Sequence, residues 1–426
     1  MQPRPEIKGW CPGAFAPMPS GDGLLIRAKA IGARLTAPQA REIARIAEDC
    51  GNGLIDLSQR AQLQLRGISE ATIAQALQRL EAIGMLAPDA DAERITNVIA
   101  SPLAGMGAGA FDANAMAAKL AVALKRDATV RALPPKFLFL IDDGGALPLA
   151  DVEADIRIEA TASGETALRV AGVADRAALV AGKDALDAAL RLARAFVELR
   201  DRHANRFRRV RPLVETLGAQ ALARAAGLEL RAFARTHAPA QRAHIYGAQR
   251  CGSLAYAGVG APFGRWRASE LAAVAEYAQR AGMGELRLTP WRALLIVTPE
   301  IEAAQKIIAQ AQDRDLITSA DDERLAVIAC PGAPECPQAL AETRAHVRTL
   351  AMLAQKFAGA DGVGVHLSGC AKGCARQSAA PITLTAGVDG FDLIENGGAD
   401  GAPRLQSLTF AAVLRELSAR ASGRPQ

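Results

Sequence analysis

The strongest constraint on the fold is that the chain repeats itself. Residues 23–68, GLLIRAKAIGARLTAPQAREIARIAEDCGNGLIDLSQRAQLQLRGI, read as an alternating apolar strand, a turn, a helical period over 38–50, a strand, a turn and another strand. Residues 254–297 follow the same order. In both copies the helix ends in a glycine (Gly51, Gly282), a second glycine follows two residues later (Gly53, Gly284), and the next strand closes in Ser58 or Thr289 with an arginine just after. The likeness continues downstream. A helix predicted near 70–83 leads into NVIASP (97–102), and one near 300–312 leads into AVIACP (326–331). Such a chain is a tandem duplication of one α+β plan, in which a small unit precedes a larger one. The units fall at 1–85 (with an N-terminal arm), 90–215, 240–312 and 320–420. Between the halves, the Arg-rich stretch 189–217 reads as an amphipathic helix with a solvated face, broken at Pro212.

The halves differ where chemistry is expected. KFLFLIDDGG (136–145) in the first stands where the second has GVGVHLSGCAKGC (362–374), and only the second carries cysteines at these positions. Cys330 and Cys336 form a C-x5-C pair, Cys370 and Cys374 a C-x3-C pair, and 33 residues separate the pairs. Two Gly/Pro-rich loops with two thiolates each can surround one [4Fe–4S] cubane, each loop supplying two corners. Structural zinc is the rival reading, but its ligand pairs usually have two to four intervening residues, which x5 exceeds. Gly332, Gly369 and Gly373 would let backbone N–H groups approach the sulfurs, and Lys372 adds positive charge beside them. Of the other cysteines, Cys50 and Cys251 read as core, while Cys11 sits in a Gly/Pro-rich arm that could cross the other half of the molecule.

An odd total of seven cysteines, thinly spread outside these pairs, argues against a secreted disulfide framework. No apolar run approaches the roughly 18 residues that span a bilayer, and the N-terminus has no apolar leader core, so no membrane association and a cytoplasmic setting are expected. Forty-one of the 50 basic residues are arginines, yet the net charge is only +5. Guanidinium forks suit bidentate carboxylate binding. Interspersed acidic residues and the lack of an aromatic-rich basic stripe speak against nucleic acid.

With these features the chain resembles the nitrite and sulfite reductase superfamily, in which a duplicated chain of ferredoxin-like half-domains and larger α+β domains binds a [4Fe–4S] cluster beside sirohaem. The C-x5-C and S-G-C-x3-C elements match that family's cluster ligands, and IDLSQRAQLQLRGI (55–68) resembles its strand with a tetrapyrrole-binding arginine. The resemblance implies Arg60 and Lys136 as ligand-binding residues. It also exposes departures: Leu138 stands at the second position of an expected Lys-x-Lys pair, Thr96 where an arginine is expected, and Pro381 at a usually acidic position. Half of the charges that activate the bound oxyanion are therefore missing, and preorganised charge of this kind is usually the largest catalytic term.

These departures fit a subfamily that the whole chain resembles, the precorrin-3B synthases, through Cys11–Gly13, the S-G-D-G-L-L segment at 20–25 and H-L-S-G-C-A-K-G-C at 366–374. That resemblance implies an O2-dependent monooxygenase of aerobic cobalamin biosynthesis, hydroxylating precorrin-3A at C20 with γ-lactone closure. It further implies a mononuclear non-haem iron. NADH would be the electron source, through a separate reductase, because no G-x-G-x-x-G follows a strand. Arg60, Lys136 and Arg292 are the candidates for the substrate carboxylates. The five histidines show no facial-triad spacing, and His366 reads as a packed histidine near the cluster. The alternative is a sirohaem-dependent sulfite or nitrite reductase, and a cluster-bearing electron carrier is a third reading.

Overall fold

The computed structural model describes residues 10, 12–107, 109–234 and 238–422; Cys11 and His237 lie outside them. The first small unit contains β1 (Met18–Ser20), β2 (Gly23–Ala28), β3 (Arg34–Thr36), β4 (Leu54–Leu57) and β5 (Leu63–Ile68). The first larger unit follows with β6 (Val98–Ala100), β7 (Phe139–Asp142), β8 (Ile156–Ala160), β9 (Thr166–Val170), β10 (Arg176–Val180) and β11 (Arg231–Ala232). The second small unit has β12 (Gly247–Cys251), β13 (Leu254–Gly260), β14 (Arg265–Arg267), β15 (Glu285–Leu288) and β16 (Ala293–Thr298). The second larger unit has β17 (Val327–Ala329), β18 (Val365–Ser368), β19 (Ala380–Gly387), β20 (Gly390–Gly397) and β21 (Leu405–Leu408).

The duplication expected from sequence is the architecture observed. Each larger sheet begins with three parallel strands, β6, β7 and β8 or β17, β18 and β19, and continues antiparallel. KFLFLIDDGG and GVGVHLSGC thus contribute the same second strand of the two sheets, β7 and β18.

The small units are tied by an exchange that the repeat did not reveal. Their sheets run β1-β2-β5-β4-β14 and β12-β13-β16-β15-β3, so each lends a three-residue edge strand to the other. Trp266 pairs opposite Ile55 and Leu35 opposite Leu286, at matching places in the two copies. Trp266 is fully buried. The helices that follow the exchanged strands, Ala37–Cys50 and Ala268–Arg280, pack on each other. The first starts at a capping box, in which Thr36 Oγ1 accepts from the Gln39 N–H and Gln39 Oε1 accepts from the Thr36 N–H. Its buried residues are Ala37, Ala40, Ile43, Ala44, Ile46, Ala47 and Cys50, four of the seven alanine, which lets the helices approach closely. One apolar core therefore runs through both small units, while each larger unit has its own.

The Arg-rich connection differs from expectation. Its helix, Ala185–Arg202, ends at residues 203–205, where Ala204 and Asn205 are left-handed, and Pro212 lies in the first turn of the next helix, Val210–Leu217. Proline is tolerated there because a first-turn N–H has no intrahelical partner to lose. Most of its arginines are exposed or half-buried, as a solvated face requires, while Arg209 Nε forks onto the fully buried Asp155 carboxylate at 2.8 and 3.0 Å. No helix among the described residues is long and apolar enough to cross a membrane.

Candidate functional site

The four cysteines come from the C-terminal ends of two adjacent parallel strands. Cys330 directly follows β17 and Cys370 follows β18, and the Cys330 N–H donates to the Leu367 carbonyl at 3.3 Å, extending the ladder by one residue. The 330–336 turn closes on itself through the Cys336 N–H and the Gly332 carbonyl at 2.7 Å. The two loops are then stitched together. Leu340 N–H donates to the Gly369 carbonyl at 2.8 Å, and Gly369 N–H donates to Cys330 Sγ at 3.1 Å. Gly369 has no room for a side chain, because a Cβ there would stand 2.7 Å from Ala339 Cβ. The sulfur contact anticipated for the glycines is thus made by Gly369. Gly332 and Gly373 serve through left-handed φ values of 73° and 60°.

Burial raises the Cys370 thiol, the backbone N–H of Lys372 lowers it, and Cys330 and Cys336 raise it again. Burial also raises Cys374, Lys372 opposes this, and the other three thiols add to it. The four sulfurs are therefore near enough to repel as thiolates, a crowding that a cationic iron–sulfur core would relieve. No three His, Cys, Asp or Glu side chains among the described residues converge on a single ion position. A cubane makes a different demand, since each thiolate binds its own iron. The donor set fits a [4Fe–4S] cluster in type, number and N–H support. Cys330 is buried, Cys336 and Cys370 are intermediate, and Cys374 is the exposed member.

The N-terminal arm locks this site to the rest of the molecule. Ala14 and Phe15 N–H groups donate to the buried Glu93 carboxylate of the first larger unit at 2.7 and 3.0 Å. A few residues on, Ser20 Oγ and Gly21 N–H both donate to the Glu335 carbonyl, at 2.6 and 2.8 Å, directly before Cys336. The arm thus crosses from one larger unit to the other. Beneath it lies a buried ion network. Arg66 forks onto Asp22 at 2.7 and 2.8 Å and reaches Asp56 at 3.2 Å; Arg265 binds Asp56 at 2.9 Å and Glu335 at 2.6 Å; Arg344 reaches Asp56 at 3.3 Å and lies over the Phe263 ring. Burial alone would raise Asp56, but Arg344, Arg265 and Arg66 hold it well below the usual carboxylate range.

Arg60 and Lys136 are brought together: Arg60 Nη2 donates to the Lys136 backbone carbonyl at 3.0 Å. Arg292 lies in the matching turn of the second copy, where Thr289 and Ala293 pair as Ser58 and Gln62 do. Register makes Ala61, with φ 51°, its counterpart, and Arg292 has φ 64°. Arg292 packs against Gly264, which in turn packs on the Leu57 carbonyl, so it sits beside the strand that leads to Arg60. Burial pushes the Arg292 guanidinium down, opposed by Asp56 and Tyr246. Arg344 is pushed down to about 10 by burial, and Arg292 adds to the shift. Four guanidiniums, Arg66, Arg265, Arg292 and Arg344, thus share three carboxylates, Asp22, Asp56 and Glu335. At the two positions where charge was missing, Leu138 is buried with Ile99, Leu140 and Trp291, and Thr96 is buried with its hydroxyl turned back to the Ala92 carbonyl.

Residues 16–83 and 248–314, the two small units, match the nitrite/sulfite reductase ferredoxin-like half domain. The chain is 32% identical over 413 residues to a precorrin-3B synthase from Sinorhizobium sp, covering 93% of this chain and 84% of that protein. The chain belongs to the precorrin-3B synthase family. It is more distantly similar to an assimilatory ferredoxin-dependent nitrite reductase from Haloferax mediterranei, 24% identical over 81% of this chain and 67% of that one. The solved structure of the NirA protein of Mycobacterium tuberculosis superposes with a TM-score of 0.71 over 95% of this chain and 82% of that chain at 21% identity, which shows the shared fold. Within this precorrin-3B synthase family and its reductase relatives, oxidoreductase chemistry and an iron–sulfur cofactor are the common ground.

For this family member, sequence reasoning missed the residues that hold the cysteine loop. Asp56, Arg66, Arg265 and Arg344 passed as ordinary charged positions. Asp56 and Arg66 could have been suspected, since each interrupts an apolar strand (LIDL, LQLRGI) at a buried position, and buried charges are retained only when paired.

Proposed function

We propose that the chain is a precorrin-3B synthase in activity as well as in family, an O2-dependent monooxygenase acting on a tetrapyrrole. Cys330, Cys336, Cys370 and Cys374 would hold a [4Fe–4S] cluster, which when bound supplies single electrons. The reaction assigned is hydroxylation of precorrin-3A at C20 with closure of the ring A acetate into a γ-lactone. One oxygen atom of O2 enters the product, and the other leaves as water with two protons and two electrons drawn from NADH by a separate reductase. Arg60 and Lys136 line one side of the ligand site, and Arg292 and Arg344 offer the buried excess of positive charge that a carboxylate-bearing substrate would neutralise. The cytoplasm, where NADH is supplied, is the setting this chemistry needs.

The observation that carries this reading over sirohaem-dependent reduction is the environment of Leu138 and Thr96. A reductase that activates sulfite or nitrite needs preorganised cations at the bound anion. Here one of those positions is packed into an apolar cluster and the other bonds its own helix. A mononuclear iron, implied by the resemblance, finds no three-residue donor set among the described residues.

The test is the anaerobically purified, cluster-loaded protein supplied with reductant, O2 and precorrin-3A. Precorrin-3B formation, with a broad cluster absorption and no sirohaem bands, supports the proposal. Intense sirohaem bands with nitrite- or sulfite-dependent reoxidation would favour the reductase reading.

A further inference from the structure

His366 is completely buried, yet neither ring nitrogen has a hydrogen-bond partner among the described residues. Buried polar atoms are almost always paired, so an imidazole orphaned at both nitrogens points to a partner that the polypeptide does not supply. Burial, with a smaller contribution from Arg376, pushes the ring down to about 4, so at neutral pH it is uncharged and carries one N–H.

The direction of the ring follows from the sheet. In β18, Val365 and Leu367 face the apolar core of the second larger unit, so His366 and Ser368 face the other way. His366 pairs with Ile328 and Thr383, and by alternation Cys330 emerges on that same side. The loop carrying Cys370 and Cys374 folds over this face. The position of a Cβ on Gly373 would lie 3.7 Å from His366 Cε1, so the ring edge with a nitrogen on either side is turned to the segment between the two cysteines.

Neighbouring hydroxyls are already committed. Thr383 Oγ1 donates to the Gly397 carbonyl at 2.7 Å, Thr385 Oγ1 to the Ala399 carbonyl at 2.9 Å, and Ser368 Oγ to the Cys370 carbonyl at 2.7 Å. Each has spent its one proton, so none can donate to the ring, and no group among the described residues lies within hydrogen-bonding reach of either ring nitrogen. Sulfur is the acceptor that this place offers once the four thiolates are assembled.

We propose that His366 is a positioning residue for the cluster, its ring N–H donating to a sulfur of the cluster or of a ligating cysteine. The inference rests on the cluster reading of the four cysteines. Donors to sulfur offset the negative charge gained on reduction, so this N–H would make the cluster easier to reduce. It would add to the backbone donors Gly369 and Lys372 a side-chain donor that the first half lacks, where Leu140 occupies the matching place in β7.

The decisive experiment uses full-length, cluster-loaded protein grown with [15N]histidine, reduced with dithionite and examined by pulsed EPR. A 15N coupling in the cluster signal, lost in His366→Gln with the signal otherwise retained, is expected. The midpoint potential of His366→Leu should also lie below that of the unsubstituted protein. A full cluster signal without 15N coupling overturns the inference while leaving the cluster intact. Protein that takes up no iron overturns both. Because the coupling is read on the unsubstituted chain, a variant that fails to fold does not remove the test.

Discussion

Replacing Asp56 by Asn keeps the size of the side chain and removes the one carboxylate that Arg66, Arg265 and Arg344 share, at 3.2, 2.9 and 3.3 Å. The side chains are 9%, 3%, 14% and 16% exposed for Asp56, Arg66, Arg265 and Arg344, so solvent screens them little. Removing one partner of a buried ion pair costs about 3–5 kcal/mol, because the remaining charges stay buried without compensation. With an unfolding entropy of roughly 2.1 cal/mol/K per residue over 426 residues, that cost lowers Tm by about 3–6 °C if the chain melts in one transition. Scanning calorimetry of the cluster-loaded protein at pH 7 is the assay. The pH dependence has a definite sign. The carboxyl is held below its ordinary value in the folded chain, so its contribution is fully present above the unfolded value near 4 and is lost as pH falls below it. The gap between the two proteins should therefore be constant from pH 7 to 5 and narrow below about pH 4. A shift under about 1 °C at pH 7, or a gap that widens on acidification, would refute the reasoning.

Gly21→Ala places a methyl 1.9 Å from the Pro334 carbonyl oxygen, so the arm should lift from the loop of Cys336 and cluster content per chain should fall, read as iron and acid-labile sulfide. Arg60→Ala should weaken precorrin-3A binding by about tenfold to a hundredfold, on the scale of a charge-assisted hydrogen bond, with the cluster spectrum unchanged. Titration of the substrate against the two proteins measures it, and equal affinities would show that Arg60 does not face the ligand. Trp266→Ala removes a fully buried indole from an exchanged strand and should cost about 3–5 kcal/mol of stability, measured by denaturant melts.

Much of the architecture was legible because duplication leaves a local record. The helices and strands of each copy, the equivalence of β7 and β18, and the two cysteine loops all follow from periodicity and spacing. The exchanged strands β3 and β14 were not legible. They are three residues long, and each pairs in the other half of the chain, Arg265 opposite Asp56 and Thr36 opposite Glu285, where no local pattern records the pairing. The ion network escaped for the same reason: Asp22, Asp56, Arg265 and Glu335 come from four separate stretches of sequence, and each alone is an ordinary charge. Pro212 misled because proline breaks a helix interior but not a first turn. At the site, the sequence singled out Arg60 and Lys136, which the fold joins by a hydrogen bond, and Arg292, which it places beside Arg344, a residue that drew no attention. The roles of Gly21 and His366 depend on close approaches that only the folded chain displays.

In the proposed function the four cysteines, with Arg60, Lys136, Arg292 and Arg344, together serve oxygenation of a tetrapyrrole. The decisive measurement supplies the anaerobically reduced, cluster-loaded protein with precorrin-3A and 18O2 and weighs the product. A product carrying one 18O atom is expected, formed only when cluster and reductant are both present and abolished in Cys370→Ser. Recovery of unlabelled, unchanged substrate by a protein with a full cluster would contradict it.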